Sequence, residues 1–204
     1  MWIGKWNKSV ILTYIGLAIG ILGIYLCCAG QNSILMVMSC LVIAGMCDLL
    51  DGFIARKCKR TETEECFGVQ LDSLADVVNF IVLPICICLK IGLNQWYHLI
   101  IFVFFAICGI ARLAHFNIAV KDCSRPVRYY SGLPVTYTAL ILPIVYLSRY
   151  ALDTRYFIIL YSLLLIVIAT LNVLNIKIKK PRGSAYILFS VIAIMLLIIY
   201  FLIL

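Results

Sequence analysis

Charge is scarce in this sequence. Only 13% of its 204 residues are charged, against about 25% in an ordinary soluble chain. Acids are the scarcer sign, nine Asp and Glu against seventeen Lys and Arg. With 65% of residues apolar and a mean hydropathy of +1.10, this excludes both a soluble globular enzyme and a disordered chain. The period-two alternation of a membrane barrel is missing, as are internal repeats and low-complexity tracts. Metal-binding cysteine spacing is missing too. Cys27, Cys28, Cys40, Cys86, Cys88 and Cys108 lie in apolar runs, where Cys acts as a small hydrophobe, and the Cys58 to Cys66 interval matches no zinc pattern.

What the sequence has is long apolar stretches. Spans of about 20 residues are expected at 9–30, 33–54, 73–91, 97–116, 133–147, 156–175 and 184–204. Each must be a helix, because an isolated span in lipid satisfies its backbone hydrogen bonds internally. The first is expected to be a span and no signal peptide, being too long and lacking a small-residue cleavage site. The loops between are short, so residues 1–204 read as one all-α integral membrane domain of about seven transmembrane helices. With the N-terminus in the cytoplasm, the inner side collects Lys5, Lys8, Arg56, Lys57, Lys59, Arg60, Lys121, Arg125, Arg128, Lys177, Lys179, Lys180 and Arg182. The outer side receives Lys90, Arg149 and Arg155. That bias sets an N-in orientation. The basic excess is thereby assigned to the membrane, and no nucleic-acid partner is expected.

A carboxylate costs ~2.5–3.5 kcal/mol at the bilayer centre on insertion scales, so the placement of the few acids carries information. Asp48 and Asp51 are three apart near the inner end of the second span, and Asp72 and Asp76 four apart near the inner start of the third. Both spacings put a pair on one helix face. Four converging carboxylates repel one another, and a divalent cation with a preference for oxygen, Mg²⁺ or Mn²⁺, relieves this. Gly52 and Ala55 continue the Asp48 stripe and Gly68 stands four before Asp72, small residues that leave room for a ligand. Arg56 ends the stripe with a planar donor suited to phosphate. Together they describe a site for a metal-bound pyrophosphate, with phosphoryl-transfer chemistry in view.

At these residues the sequence resembles the CDP-alcohol phosphotransferase family, whose signature is D-x-x-D-G-x-x-A-R, a spacer, then G-x-x-x-D-x-x-x-D. Asp48, Asp51, Gly52, Ala55, Arg56, Gly68, Asp72 and Asp76 fill every fixed position. A narrower likeness, to the CDP-diacylglycerol–serine O-phosphatidyltransferases, rests on residues 67–80 (FGVQLDSLADVVNF), 108–117 (CGIARLAHFN) and 130–135 (YSGLPV). Three departures stand out: an eleven-residue spacer between Arg56 and Gly68, His115 in place of an Arg, and Asn79 in place of a Ser.

The resemblance implies a six-helix core, a homodimer, and transfer of the phosphatidyl group from CDP-diacylglycerol to L-serine with release of CMP. It implies a bacterial or archaeal plasma membrane with the site facing the cytoplasm. Asp48, Asp51, Asp72 and Asp76 would hold one or two divalent ions, with Gly52, Ala55, Arg56 and Gly68 around the CDP-diacylglycerol head. Asp76 is the expected general base. Arg112, His115 and Asn117 are expected near the acceptor serine, although Arg112 can equally pair with a site Asp. Glycerol phosphate, an inositol phosphate or choline are the alternative acceptors. A cation transporter built on the same acids is the reading from another class.

Overall fold

The computed structural model of the chain describes residues 10–30, 33–55, 58, 60–122, 129–179 and 184–204. Helices dominate: α1 (Ile11–Cys28), α2 (Ile34–Ala55), α3 (Glu62–Val77), α4 (Leu83–Lys90), α5 (Trp96–Asp122), α6 (Thr138–Tyr146), α7 (Thr154–Val173) and α8 (Ser184–Ile203). A π-helical turn, Val78–Val82, joins α3 to α4. Among the described residues the one exception to the all-α reading is a ribbon of two three-residue antiparallel strands. These are β1 (Tyr129–Ser131) and β2 (Lys177–Lys179), which pair Tyr129 with Lys179.

Among the described residues, six helical stretches are long and apolar enough to cross a membrane. The remaining expected span, the fifth at 133–147, differs in kind. Two 3₁₀ turns, Val135–Tyr137 and Leu147–Tyr150, flank α6, and Pro143 lies inside it. The steeper rise of a 3₁₀ helix brings this composite to about 28 Å, close to the ~30 Å hydrocarbon thickness. Proline accounts for the irregularity, since Pro143 has no N–H for the carbonyl one turn back. Pro84, at the start of α4, likewise offers no α-type donor to Phe80, and the Leu83 amide reaches back five residues to Val78.

The third span also starts earlier than hydropathy predicts. Thr61 and Glu64 form a capping box: the Glu64 carboxylate accepts from the Thr61 amide at 2.8 Å, and the Thr61 hydroxyl accepts from the Glu64 amide at 3.3 Å. Glu62, Glu64 and Glu65 fill the first turn, where the helix dipole favours acids. The continuous helix Glu62–Lys90 has 29 residues.

Half of the span residues of α2 and of Glu62–Lys90 are buried, against 17% in α1 and α8. The central position therefore belongs to the two segments that carry the acids. Met38 and Leu41 of α2 pack with Phe80, Leu83 and Ile87, and with Phe105, Leu142, Tyr161 and Leu165 from α5 to α7. On its buried face, helix α1 reaches α2 through Gly16 and Gly23 and the π-helical turn through Gly20. A Cβ on Gly16 or Gly23 would lie 3.1 Å from the Cβ of Cys47 or Cys40, and one on Gly20 would overlap Asn79. Small residues in such a seam let membrane helices approach closely. Apolar side chains such as Ile100, Val103 and Ile107 of α5 and Leu188, Val191 and Met195 of α8 point outward, as lipid-facing residues do.

Where α6 tightens into its 3₁₀ end, two neighbouring carbonyls take side-chain donors. The Tyr161 hydroxyl of α7 donates to the Leu142 carbonyl, and the Tyr200 hydroxyl of α8 to the Pro143 carbonyl, both at 2.6 Å. Interhelical hydrogen bonds of this kind contribute about 0.6 and at most about 1.7 kcal/mol in membranes. Tyr161→Phe and Tyr200→Phe should each lower stability in a denaturing-detergent titration by an amount in that range. A loss outside it would show that the hydroxyls do something other than brace α6.

Candidate functional site

The two acidic pairs meet at one cavity of the bundle. One carboxylate oxygen each from Asp48, Asp72 and Asp76 lies within 4.8 Å of the others. Asp48 comes from α2, and the other two stand on successive turns of α3. Two ligand oxygens on one Mg²⁺ at ~2.0–2.1 Å are at most about 4.2 Å apart, so a bound divalent cation would draw this trio closer together. The donor set is all oxygen, as Mg²⁺ and Mn²⁺ prefer.

Asp51 is held differently. Three residues along a helix is a rotation of about 60° from the starting side chain, which turns Asp51 from α3 toward α1. There its Oδ2 accepts a hydrogen bond from the Thr13 hydroxyl at 2.9 Å, with both residues buried. It still lines the same cavity as the other three acids.

That cavity has a volume of about 260 Å³. Asp48, Asp51, Gly52, Asp72 and Asp76 form its acidic wall, and a Cβ on Gly52 would meet nothing within 4 Å. Arg112, Leu113 and Phe116 of α5 form another, with the Arg112 guanidinium 5.3 Å from the Phe116 ring centre. Pro134, Thr136, Tyr137, Ala139 and Leu140 come from α6 and the turn before it. Tyr186, Phe189 and Ala193 of α8 close the remaining side, and the Phe189 ring packs edge-on against Tyr137 at 5.4 Å.

The backbone before α6 is fixed by Gly132, whose φ of +77° favours glycine. Its amide donates to the Ile176 carbonyl at 3.0 Å, and the Leu133 amide to the Leu171 carbonyl at 2.9 Å. These bonds tie the 130–135 segment to the end of α7 and set Pro134 at the cavity.

Of the remaining residues picked out from sequence, Arg112 is buried at the cavity wall. His115 and Asn117 do not line it. The lining stripe on α5 runs through Arg112, Leu113 and Phe116, and each of the other two is about 100° round the helix from its centre, on opposite sides. His115 is exposed. Asn117 turns toward α3, where its Oδ1 accepts from the Ser73 hydroxyl at 2.8 Å, so it reaches the cavity through Ser73. Gly68 is half-buried beside the lining residue Val69, and a Cβ there would point at Arg60 Nη1, 3.7 Å away. Ala55 closes α2, but its side chain and the whole of Arg56 lie outside the described residues. So do Lys5, Lys8, Lys57, Lys59, Arg125, Arg128, Lys180 and Arg182, which carry most of the expected charge bias.

Thr13, Ser73 and the three α8 residues were not picked out from sequence. Thr13 carried a usable signal, a polar residue on an apolar span. Ser73 lies inside the acidic motif itself. Nothing in the uniformly apolar α8 marks Tyr186 or Phe189.

A family model described as CDP-alcohol phosphatidyltransferase matches residues 6–172. A CDP-diacylglycerol–serine O-phosphatidyltransferase of Saccharomyces cerevisiae is 43% identical over 115 residues, 53% of this chain and 41% of that protein. One of the same name from Methanocaldococcus jannaschii is 34% identical over 152 residues, 74% of this chain and 68% of that protein. An archaetidylserine synthase of Methanothermobacter thermautotrophicus is 29% identical over 129 residues, 62% of this chain and 53% of that protein. The chain thus spans less than half of the yeast protein and about half of the last. No solved structure matches it.

Proposed function

The chain belongs to the CDP-alcohol phosphatidyltransferase family, and from that premise we propose that it transfers the phosphatidyl group of CDP-diacylglycerol to the hydroxyl of L-serine, giving phosphatidylserine and CMP. The observation that carries the reading is the cavity itself. Three carboxylates close enough to share one cation form one wall, and a buried arginine stands in another. The names of the relatives agree on serine and differ in the lipid.

Asp48, Asp72 and Asp76 would hold a divalent cation, Mg²⁺ or Mn²⁺, with the second oxygen of Asp51 as a further ligand. When bound, such a cation neutralises the pyrophosphate and stabilises the departing CMP. The open side of Gly52 leaves space for the CDP head, with Ala55, Gly68 and the Arg56 guanidinium around it. Asp76 takes the proton of the serine hydroxyl as its oxygen attacks the phosphorus that carries diacylglycerol. The bond from that phosphorus to the bridging oxygen breaks, and CMP leaves with that oxygen. Arg112 receives the serine carboxylate, and Asn117 steadies that side of the cavity through Ser73. His115, exposed on α5, is left out of this scheme. The protein works as a homodimer with an inner N-terminus, and its site faces the cytoplasm of a bacterial or archaeal plasma membrane.

Purified protein in lipid nanodiscs, given CDP-diacylglycerol and Mg²⁺ or Mn²⁺, should release CMP with serine. It should not do so with glycerol phosphate, inositol phosphate or choline. Release with one of those instead would reassign the acceptor, and no release with any would remove the reaction.

Arg112→Ala should raise the KM for serine while leaving that for CDP-diacylglycerol unchanged. A hydrogen bond to a charged group contributes about 1.5–3 kcal/mol, which corresponds to roughly a 10- to 100-fold rise. An equal rise for the donor would put Arg112 on the nucleotide side.

A further inference from the structure

The fourth carboxylate of the cavity is the only one of the four with a side-chain hydroxyl donor recorded among the described residues. We propose that Thr13 is a positioning residue of the cation site: its hydroxyl commits one oxygen of Asp51 to α1 and leaves the other turned to the cavity. The inference rests on the reading of the acidic wall as a cation site.

Thr13 stands in the first turn of α1, on the same buried face as Gly16, Gly20 and Gly23. That glycine face fixes how near α1 comes to α2. Gly16, one turn along from Thr13, abuts Cys47, one turn back from Asp51 on α2. The Gly16–Cys47 contact and the Thr13–Asp51 bond are therefore neighbouring rungs of one seam. Backbone separation is set by the first, so the hydroxyl of the second has little freedom to move away from Oδ2. At 9% and 6% exposure, Thr13 and Asp51 are both shielded from competing water. A carboxylate held at one oxygen cannot spin about its last torsion, and its other oxygen keeps one direction.

Groups that orient metal ligands from behind typically alter metal affinity 10–100-fold when replaced. Valine keeps the shape of threonine and removes only the hydroxyl, while serine keeps the donor. The probe is Mn²⁺ alone, titrated into the full chain in nanodiscs without substrate, with free Mn²⁺ followed by electron paramagnetic resonance. Thr13→Val should weaken Mn²⁺ binding by about tenfold, and Thr13→Ser should restore it to within about twofold. Unchanged affinity in Thr13→Val, beside a clear loss in Asp51→Ala, would overturn the role of Thr13 and leave the cation site standing. Unchanged affinity in both would overturn the inclusion of Asp51 as well. Should serine restore the thermal midpoint without restoring Mn²⁺ affinity, the bond is helix-to-helix bracing and the proposal fails. Because no acceptor or donor is present, these outcomes are independent of whether serine is the substrate.

Discussion

Asp72→Ala is expected to leave no measurable CMP release, and Asp48→Ala the same. Each removes one of the three carboxylates that, among the described residues, bring oxygens within 4.8 Å of one another, and the two that remain, even with Asp51 as a further ligand, cannot fix a cation against the pyrophosphate. Charge stabilisation by a bound metal contributes several kcal/mol to a transition state. At about 1.4 kcal/mol per factor of ten, losing it costs at least roughly a thousandfold. Mn²⁺ affinity should fall together with turnover. Cys58→Ser is a suitable control, because Cys58 lies outside the lining of the cavity. A turnover above a tenth of the parent in either Asp variant would remove that residue from the cation site.

Asp76→Asn tests a different job. Asp76 lies one turn deeper along α3 than Asp72 and is the more buried of the two, at 7% exposure. A serine hydroxyl is a weak nucleophile at neutral pH, and a base within hydrogen-bond reach typically contributes 10²–10⁴-fold. Asparagine keeps the shape and one oxygen for a cation but cannot accept the proton. Turnover should therefore fall by roughly 10²–10⁴ while Mn²⁺ and donor binding persist. Near-parent turnover would end the base assignment. Lost Mn²⁺ binding would make Asp76 chiefly a ligand.

The acidic wall was legible in the sequence because its information is local. Spacings of three and four residues fix which carboxylates share a helix face, and the cost of burying acids in lipid makes such pairs conspicuous. The same locality explains what was less legible. Whether Asp51 turns to α3 or α1 depends on how closely the α1 glycines let two helices approach, which no spacing within α2 states. His115 and Asn117 sit in one motif, yet the packing of α5 sends one outward and the other to Ser73. The early start of α3 was available in Thr61 and Glu64, but hydropathy alone looks past a charged first turn. The fifth span read as ordinary from its apolar content, and Pro143 made it a composite. The wall from α8 had no sequence signal, since an apolar helix in lipid looks the same whether or not one of its faces covers a cavity.

That wall bears on the order of biosynthesis. Ribosomes make α2 and α3 early and α8 after every other described helix, so all four acids are inserted in the bilayer before Tyr186, Phe189 and Ala193 exist to cover them. A nascent chain paused ahead of Ser184 carries the complete acidic wall with one flank open to its surroundings. Closure then comes as a late docking event. In the folded protein α8 is held there by the Tyr200 hydroxyl on the Pro143 carbonyl and by Ala193 and Leu196 packed against Val42.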